Sequence, residues 1–407
     1  MTNSKVHVKT SLSDYKNYES YAQEAVRDIA SRIGKQGQFL NWINVLIENQ
    51  IKNLDNIYKM ANKARENGDD ELAVIGIGGS RHTTEAMVNM LGVEDKVHLY
   101  SALDPKSFER FSKKIDVSKT KFLIVSKSGG TMETTKGYEY AKALVQKVTG
   151  KIDVSEKFIA MTDANPEKSK LRRAVNNGEF LESGFVHDDV GGRFSIFDDA
   201  TLFTLAFVGV KKEDVLRMLN SSLEAQKDFL DLNIEKNDAL RLAIFNVDSA
   251  NKGRTNHGVE YFGDAFFGAT LWEKQMKNES LKSSITTDTN IGPAYLHYNA
   301  EADLDPNNKK SFYTFINYKT DDPTMIADLR GVKSAYSKSH PISEIELEDL
   351  SFDAVGRFIE LKHFETLYTG NILRRTNGNI TQNSVALPEV LQPNVEIYKE
   401  EVRQAMA

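Results

Sequence analysis

Short apolar runs ending in loops, with helical stretches between them, constrain this chain more than any other feature of its sequence. ELAVIGIGG (Glu71–Gly79), KVHLYSA (Lys96–Ala102), KFLIVS (Lys121–Ser126) and KFIAMTD (Lys157–Asp163) are rich in β-branched and aromatic residues. Strands that lack polar alternation are buried on both faces, and strands that alternate with helices lie in a parallel sheet. The pattern resumes later: LRLAIFNVDS (Leu240–Ser249) and SFYTFINY (Ser311–Tyr318) read as strands, while His257–Lys277, Asp353–Asn377 and Pro393–Met406 read as helices. Between Tyr18 and Glu66, Val26, Ile29, Ile33, Phe39, Trp42, Ile43, Leu46 and Ile47 recur at three- and four-residue steps, which predicts two or three helices. The expected fold class is α/β, with two doubly wound, mainly parallel-sheet domains of three α/β/α layers. An N-terminal helical segment occupies 1–44, the first domain 45–180, the second 200–390, and a C-terminal helix 391–407.

Composition narrows the function. Lysine and arginine number 52 against 58 acids, a formal net charge of −6, which gives no basic surface for nucleic acid or anionic membranes. An anionic substrate must then meet a local positive site. With no cysteine, thiol nucleophiles and thiolate metal sites are excluded. The start of the chain lacks an apolar signal region, and no run approaches the roughly 18 apolar residues of a membrane span, so a cytoplasmic protein is expected. The eight histidines form no H-x-x-x-H or H-x-H pair, so no metal site is expected. The acidic tract Glu344–Asp353 lacks calcium-loop spacing and reads as a solvated strand or loop.

Two loops carry chemistry. In GIGGSRHTTEAM (Gly76–Met87) a strand ends in glycines before a helix, so backbone can approach a ligand and free amides favour an anion. A plain βα turn is the alternative, and the G-x-G-x-x-G spacing of dinucleotide sites is absent. His82 reads as a surface or helix-start residue, with a place beside the phosphate as the other option. In IVSKSGGTMETT (Ile124–Thr135), Ser126, Ser128 and Thr131 gather hydroxyls and amides at a helix start. That is a phosphate cradle of neutral donors without a P-loop. The plainer reading makes Thr131 a helix cap.

S-K-S-G-G-T-M-E-T after an apolar strand, with G-I-G-G-S upstream, resembles the sugar-isomerase (SIS) fold and the glucose-6-phosphate isomerase family. DVGGRFSIF (Asp189–Phe197) is similar to that family's G-G-R-[FY]-S signature, WEKQMKNESLK (Trp272–Lys282) to its Q-x-x-x-E-S helix end, and LQPNVEIYK (Leu391–Lys399) to its Q-P-x-V-E-x-Y-K segment. The resemblance implies a cofactor-free aldose–ketose isomerase of sugar phosphates, acting as a homodimer through a cis-enediolate. It implies that Gly79, Ser80, Ser126, Lys127, Ser128 and Thr131 hold the phosphate. Gly192 and Arg193 would face the reacting carbons, and Gln275, Glu279, Gln392 and Lys399 would complete the site. Glu279 would be the proton shuttle, Arg193 the charge stabiliser and Lys399 the ring-opening aid, with a carboxylate suited to the shuttle because its environment can tune its pKa. Without the motif, Glu279 and Lys399 read as surface charges and Arg193 as a partner of Asp188, Asp189, Asp198 or Asp199.

The family's ring-opening histidine has no clean counterpart: one register puts Asp305 in its place and another Lys310, His297 is the nearest histidine, and a site in which none of the three serves is a further option. The E-S-x-G-K glycine is missing at Leu281–Lys282. Two other functions compete with the isomerase: an SIS isomerase of amino-sugar or arabinose phosphates, and a sugar-phosphate binder without catalysis.

Overall fold

The structure, a computed structural model, describes residues 5–406. Its ten strands are β1 (Val6–Thr10), β2 (Glu71–Ile75), β3 (Val97–Tyr100), β4 (Thr120–Val125), β5 (Phe158–Thr162), β6 (Glu182–Phe185), β7 (Asn256–Phe262), β8 (Thr286–Gly292), β9 (Ser311–Tyr318) and β10 (Ile342–Leu347). They form two five-stranded sheets, ordered β3-β2-β4-β5-β6 and β1-β10-β9-β7-β8. All pairings are parallel except that of β1 with β10. The first sheet reverses its winding between β2 and β4, which run side by side with Ile75 opposite Ile124. Open α/β sheets bind ligands beyond the carboxyl ends of strands at such a reversal. The two motif loops follow β2 and β4, so the topology delivers both to that crevice.

The buried strands were legible because every residue of β4 and β5 is buried, as a two-sided apolar strand must be. The second half departs from expectation. Leu240–Ser249 is no strand but the middle of helix Asp238–Asn251, started by Asn237, whose side chain accepts the Leu240 amide at 3.1 Å. Its apolar run reflects a helix buried nearly all round. His257–Lys277 is not one helix. It splits into β7 and helix Phe267–Leu281, with Gly263 between them at φ 122°, a conformation that favours glycine. The first 44 residues contribute helix Glu19–Ala30, but also β1, which extends the second sheet. The acidic tract begins in β10, an inner strand that buries Ser343, Ile345 and Leu347.

Helix Phe352–Thr376 forms the axis of the second half. Residues Ala354–Val355 and Phe358–Leu373 are all buried, with helices Glu19–Ala30, Lys212–Phe229, Asp238–Asn251 and Phe267–Leu281 packed around it. The two halves meet where Phe267–Leu281 lies on helix Gly79–Met90. Gly268 permits that approach, since a Cβ there would stand 2.4 Å from the Glu85 carbonyl. Among the described residues no helix is long and apolar enough to cross a membrane.

Candidate active site

Each motif loop ends at a helix whose first-turn amides lack a side-chain cap. Gly78 precedes Gly79–Met90 with φ +60°, and Thr131 precedes Met132–Thr149 in extended conformation; neither position offers a side-chain acceptor to the helix. The expected alternative, Thr131 as a capping residue, is therefore not realised. Two uncapped helix starts at the ends of adjacent parallel strands can hold an anion. Ser126 shapes the second loop: its buried hydroxyl accepts the Gly129 amide at 3.0 Å and reaches Thr131 Oγ1 at 3.5 Å. Ser128 accepts the Gly130 amide at 3.2 Å and is exposed, as is Gly130. Gly129 turns at φ +63° hard against Leu171, whose backbone nitrogen would lie 2.3 Å from an added Cβ. Lys127 crosses to the neighbouring loop, donating to the Asp188 carbonyl at 2.8 Å and pairing with its carboxylate at 2.9 Å.

That neighbouring loop is Gly191-Gly192-Arg193. Gly79 lies against it so closely that a Cβ would stand 2.2 Å from the Gly192 carbonyl oxygen. Gly79→Ala should therefore force the two loops apart, lowering kcat/KM by at least about tenfold while the protein still folds; steady-state kinetics beside a thermal melt check this. A cavity of about 280 Å³ opens here, lined by Ser80, Lys127, Gly192, Arg193, Asp198 and Gln392 among others.

Arg193 is the hub. It is 2 % exposed, and its guanidinium donates to Ser280 Oγ at 3.0 Å, Glu279 at 3.0 Å, the Glu389 carbonyl at 2.6 Å and Gln392 Oε1 at 3.4 Å. Burial pushes its pKa down, opposed by Glu279, and a guanidinium stays charged regardless. The acids near it in sequence are not its partners. Asp188 binds Lys127 and Lys168, Asp198 binds His187, and Asp199 binds Gln50 and the Phe185 amide. Helix Phe267–Leu281 presents Gln275 and Glu279 one turn apart, and Gln275 Nε2 donates to Glu279 Oε1 at 2.9 Å. The other end of Gln275 meets His82 Nδ1 at 3.1 Å. The result is one hydrogen-bonded string, His82–Gln275–Glu279–Arg193–Gln392, drawn from both halves and the C-terminal segment.

The structure brings together Gly79, Gly192, Arg193, Gln275, Glu279 and Gln392, and it sets Ser80 and Lys127 in the cavity wall beside them. It does not bring in Lys399. Helix Pro393–Met406 is largely exposed, and Lys399 pairs with Glu396 one turn back at 2.8 Å. Nor do His297, Asp305 or Lys310 touch Glu279, Gln275 or Arg193; all three are exposed. The glycine missing from the E-S-x-G-K pattern leaves Lys282 to end the helix at φ 53°, ψ −130°, a region costly for a residue with a Cβ, while its ammonium donates to the Pro388 carbonyl at 2.6 Å. His82 stands at a helix start, as its sequence position suggests, but its contact with Gln275 was not foreseen. Its position four residues past Gly78 gave no signal, because its partner Gln275 is 193 positions away.

His187, Asp198 and Asp199 bring ligand atoms within 4.8 Å of one another. They are knit together as hydrogen bonds, and burial with the Asp198 charge raises the Asp199 pKa toward the neutral acid, which opposes metal ligation.

A crevice of hydroxyls and amides at a winding reversal, faced by a carboxylate and a buried guanidinium, belongs to α/β proteins that act on small phosphorylated carbohydrates. The phosphoglucose isomerase family model matches residues 48–321, and the chain belongs to that family. Among its curated relatives is a glucose-6-phosphate isomerase of Alkaliphilus metalliredigens, 25% identical over 88% of this chain and 78% of its own length. Another is that of Shouchella clausii, 25% identical over 93% and 84%. Among solved structures, a glucose-6-phosphate isomerase of Chlamydia trachomatis shares the fold at TM-score 0.79 with 16% identity, covering 99% of this chain and 88% of its own. A hypothetical protein of Thermus thermophilus shares it at TM-score 0.81 with 19% identity, covering 96% of each.

Proposed function

We propose that this chain interconverts glucose 6-phosphate and fructose 6-phosphate through an enediolate, in the cytoplasm and as a homodimer. The observation that supports this most is the Glu279–Arg193 pair at 3.0 Å beside the crevice. The phosphoryl group binds the uncapped helix starts, with Ser80, Ser128 and Thr131 as hydroxyl donors. Glu279 takes the C2 proton and returns it at C1, both within reach of one carboxylate because the carbons are bonded to each other. Arg193, held by Ser280 and the Glu389 carbonyl, stabilises the enediolate oxygens as they form, a donor fixed in place before the reaction. Gln275 keeps Glu279 oriented between the two carbons, and Gln392 steadies Arg193 from the other side. No step calls on a cofactor. A binder without catalysis would need the loops but would have no use for a carboxylate held between a glutamine and an arginine.

A coupled assay run from fructose 6-phosphate, with mannose 6-phosphate and glucosamine 6-phosphate in parallel, tests the reading. Turnover of fructose 6-phosphate well above that of the other two is expected. Turnover only of an amino sugar, or of none, would overturn it.

A further inference from the structure

Glucose 6-phosphate is a closed hemiacetal, so its ring must open before C2 can lose a proton. That step needs a group able to take and return a proton at the C1 hydroxyl and the ring oxygen. Glu279 is committed to the carbons, and Arg193 does not release a proton. Within one chain, Lys399, His297, Asp305 and Lys310 stand outside the string.

The hydrogen bonds around Gln275 determine the state of His82. An ionised Glu279 only accepts, so Gln275 must turn Nε2 toward it, as it does at 2.9 Å. Gln275 Oε1 is then an acceptor, and His82 Nδ1, 3.1 Å away, must carry the hydrogen. In the neutral ring the other nitrogen, Nε2, is therefore bare, and it makes no hydrogen bond to protein among the described residues. Burial, with Arg81 next to it, lowers the His82 pKa against the raising effects of Gln275, Glu85 and Glu279, so the neutral ring prevails. His82 lies in the first turn of helix Gly79–Met90, whose Ser80 and Thr83 line the cavity.

From this geometry we infer that His82 is a further catalytic residue, which opens the sugar ring through Nε2 while Nδ1 anchors it to the glutamine that positions the base. Resting on the isomerase reading above, the step runs as follows. Nε2 takes the proton of the C1 hydroxyl, and that oxygen's electron pair forms the C1 carbonyl. The bond from C1 to the ring oxygen breaks with its pair going to the ring oxygen, which takes the proton back from Nε2. Proton count and charge are unchanged overall.

Two substitutions separate the nitrogens. His82→Asn keeps a donor where Nδ1 stands and removes Nε2; His82→Leu removes both. Each is made alone and with Glu279→Gln, which silences carbon chemistry, and exchange between the α and β forms of glucose 6-phosphate is followed by exchange NMR. The expected result is anomer exchange by the Glu279→Gln protein above the uncatalysed rate, falling about 10²-fold on adding His82→Asn. Affinity for 5-phosphoarabinonate, an open-chain mimic that needs no ring opening, should stay within about twofold in His82→Asn and drop in His82→Leu. Anomer exchange unaffected by His82→Asn would overturn the proposal. So would His82→Asn and His82→Leu losing mimic affinity equally, because His82 would then act only by holding Gln275. Failure of the isomerase reading shows separately, as absence of fructose 6-phosphate turnover in the unmodified protein.

Discussion

Glu279→Gln should cut turnover of fructose 6-phosphate by roughly 10²–10⁴-fold while leaving affinity for sugar phosphate close to that of the unmodified protein. The substitution removes the proton acceptor and changes little else. Gln275 can still donate to the new carbonyl, and the loops after β2 and β4 take no support from Glu279. Arg193 loses its charge partner but keeps Ser280, the Glu389 carbonyl and Gln392. The loss should therefore fall on kcat, with KM nearly constant, the signature of an interaction made at the transition state. Turnover within a few-fold of the unmodified protein would remove Glu279 from the role.

The largest effect on stability is expected on the far side of the same helix. Glu273 and Lys277, one turn apart, face Lys362 and Glu365 of helix Phe352–Thr376, and all four side chains are wholly buried. Lys277 pairs with Glu365 at 2.6 Å and Glu273 at 3.2 Å; Lys362 pairs with Glu365 at 2.5 Å and Glu273 at 2.8 Å. Each carboxylate thus meets two ammonium groups, and His257, Asn246 and Tyr261 close the rim. Lys362→Met leaves two buried carboxylates sharing one cation, and breaking a buried pair costs about 3–5 kcal/mol. Thermal and urea unfolding should register it. Replacing all four with apolar residues of similar volume should cost far less, because no charge is stranded. A single variant melting with the unmodified protein would show that the four do not form a closed network.

The cluster also sets a pH dependence. Burial alone would raise the Glu365 pKa, but Lys277 and Lys362 hold it well below the usual range. A carboxyl depressed in the folded state contributes stability in full above its unfolded pKa of about 4.3. That contribution is lost as pH falls through the folded value. Acid should therefore loosen helix Phe267–Leu281 from its axis, and Lys277→Met should shift that acid transition.

What the sequence disclosed follows from how locally each signal is written. The strands β2, β4 and β5 were legible because burial on both faces leaves an unbroken apolar run. The two candidate ligand loops were legible because their glycines and hydroxyls are consecutive. Leu240–Ser249 failed for the converse reason: its six apolar residues cluster without a clear period because the helix is buried nearly all round, and only the Asn237 cap marked its start. β1 was missed because its partner, β10, lies more than 300 residues away.

The sequence by itself determined the α/β class and marked the two glycine- and hydroxyl-bearing loops and Glu279, Gln275 and Arg193 as candidates, since each sits in a contiguous pattern of few residues. Only the tertiary structure decided which acid Arg193 pairs with, that Lys399 stands apart, and that His82 joins the string. Those outcomes depend on the face by which helix Phe267–Leu281 meets helix Gly79–Met90. That face is fixed by Gly268 and by four buried charges dispersed over more than ninety positions, whose mutual distances no local pattern encodes.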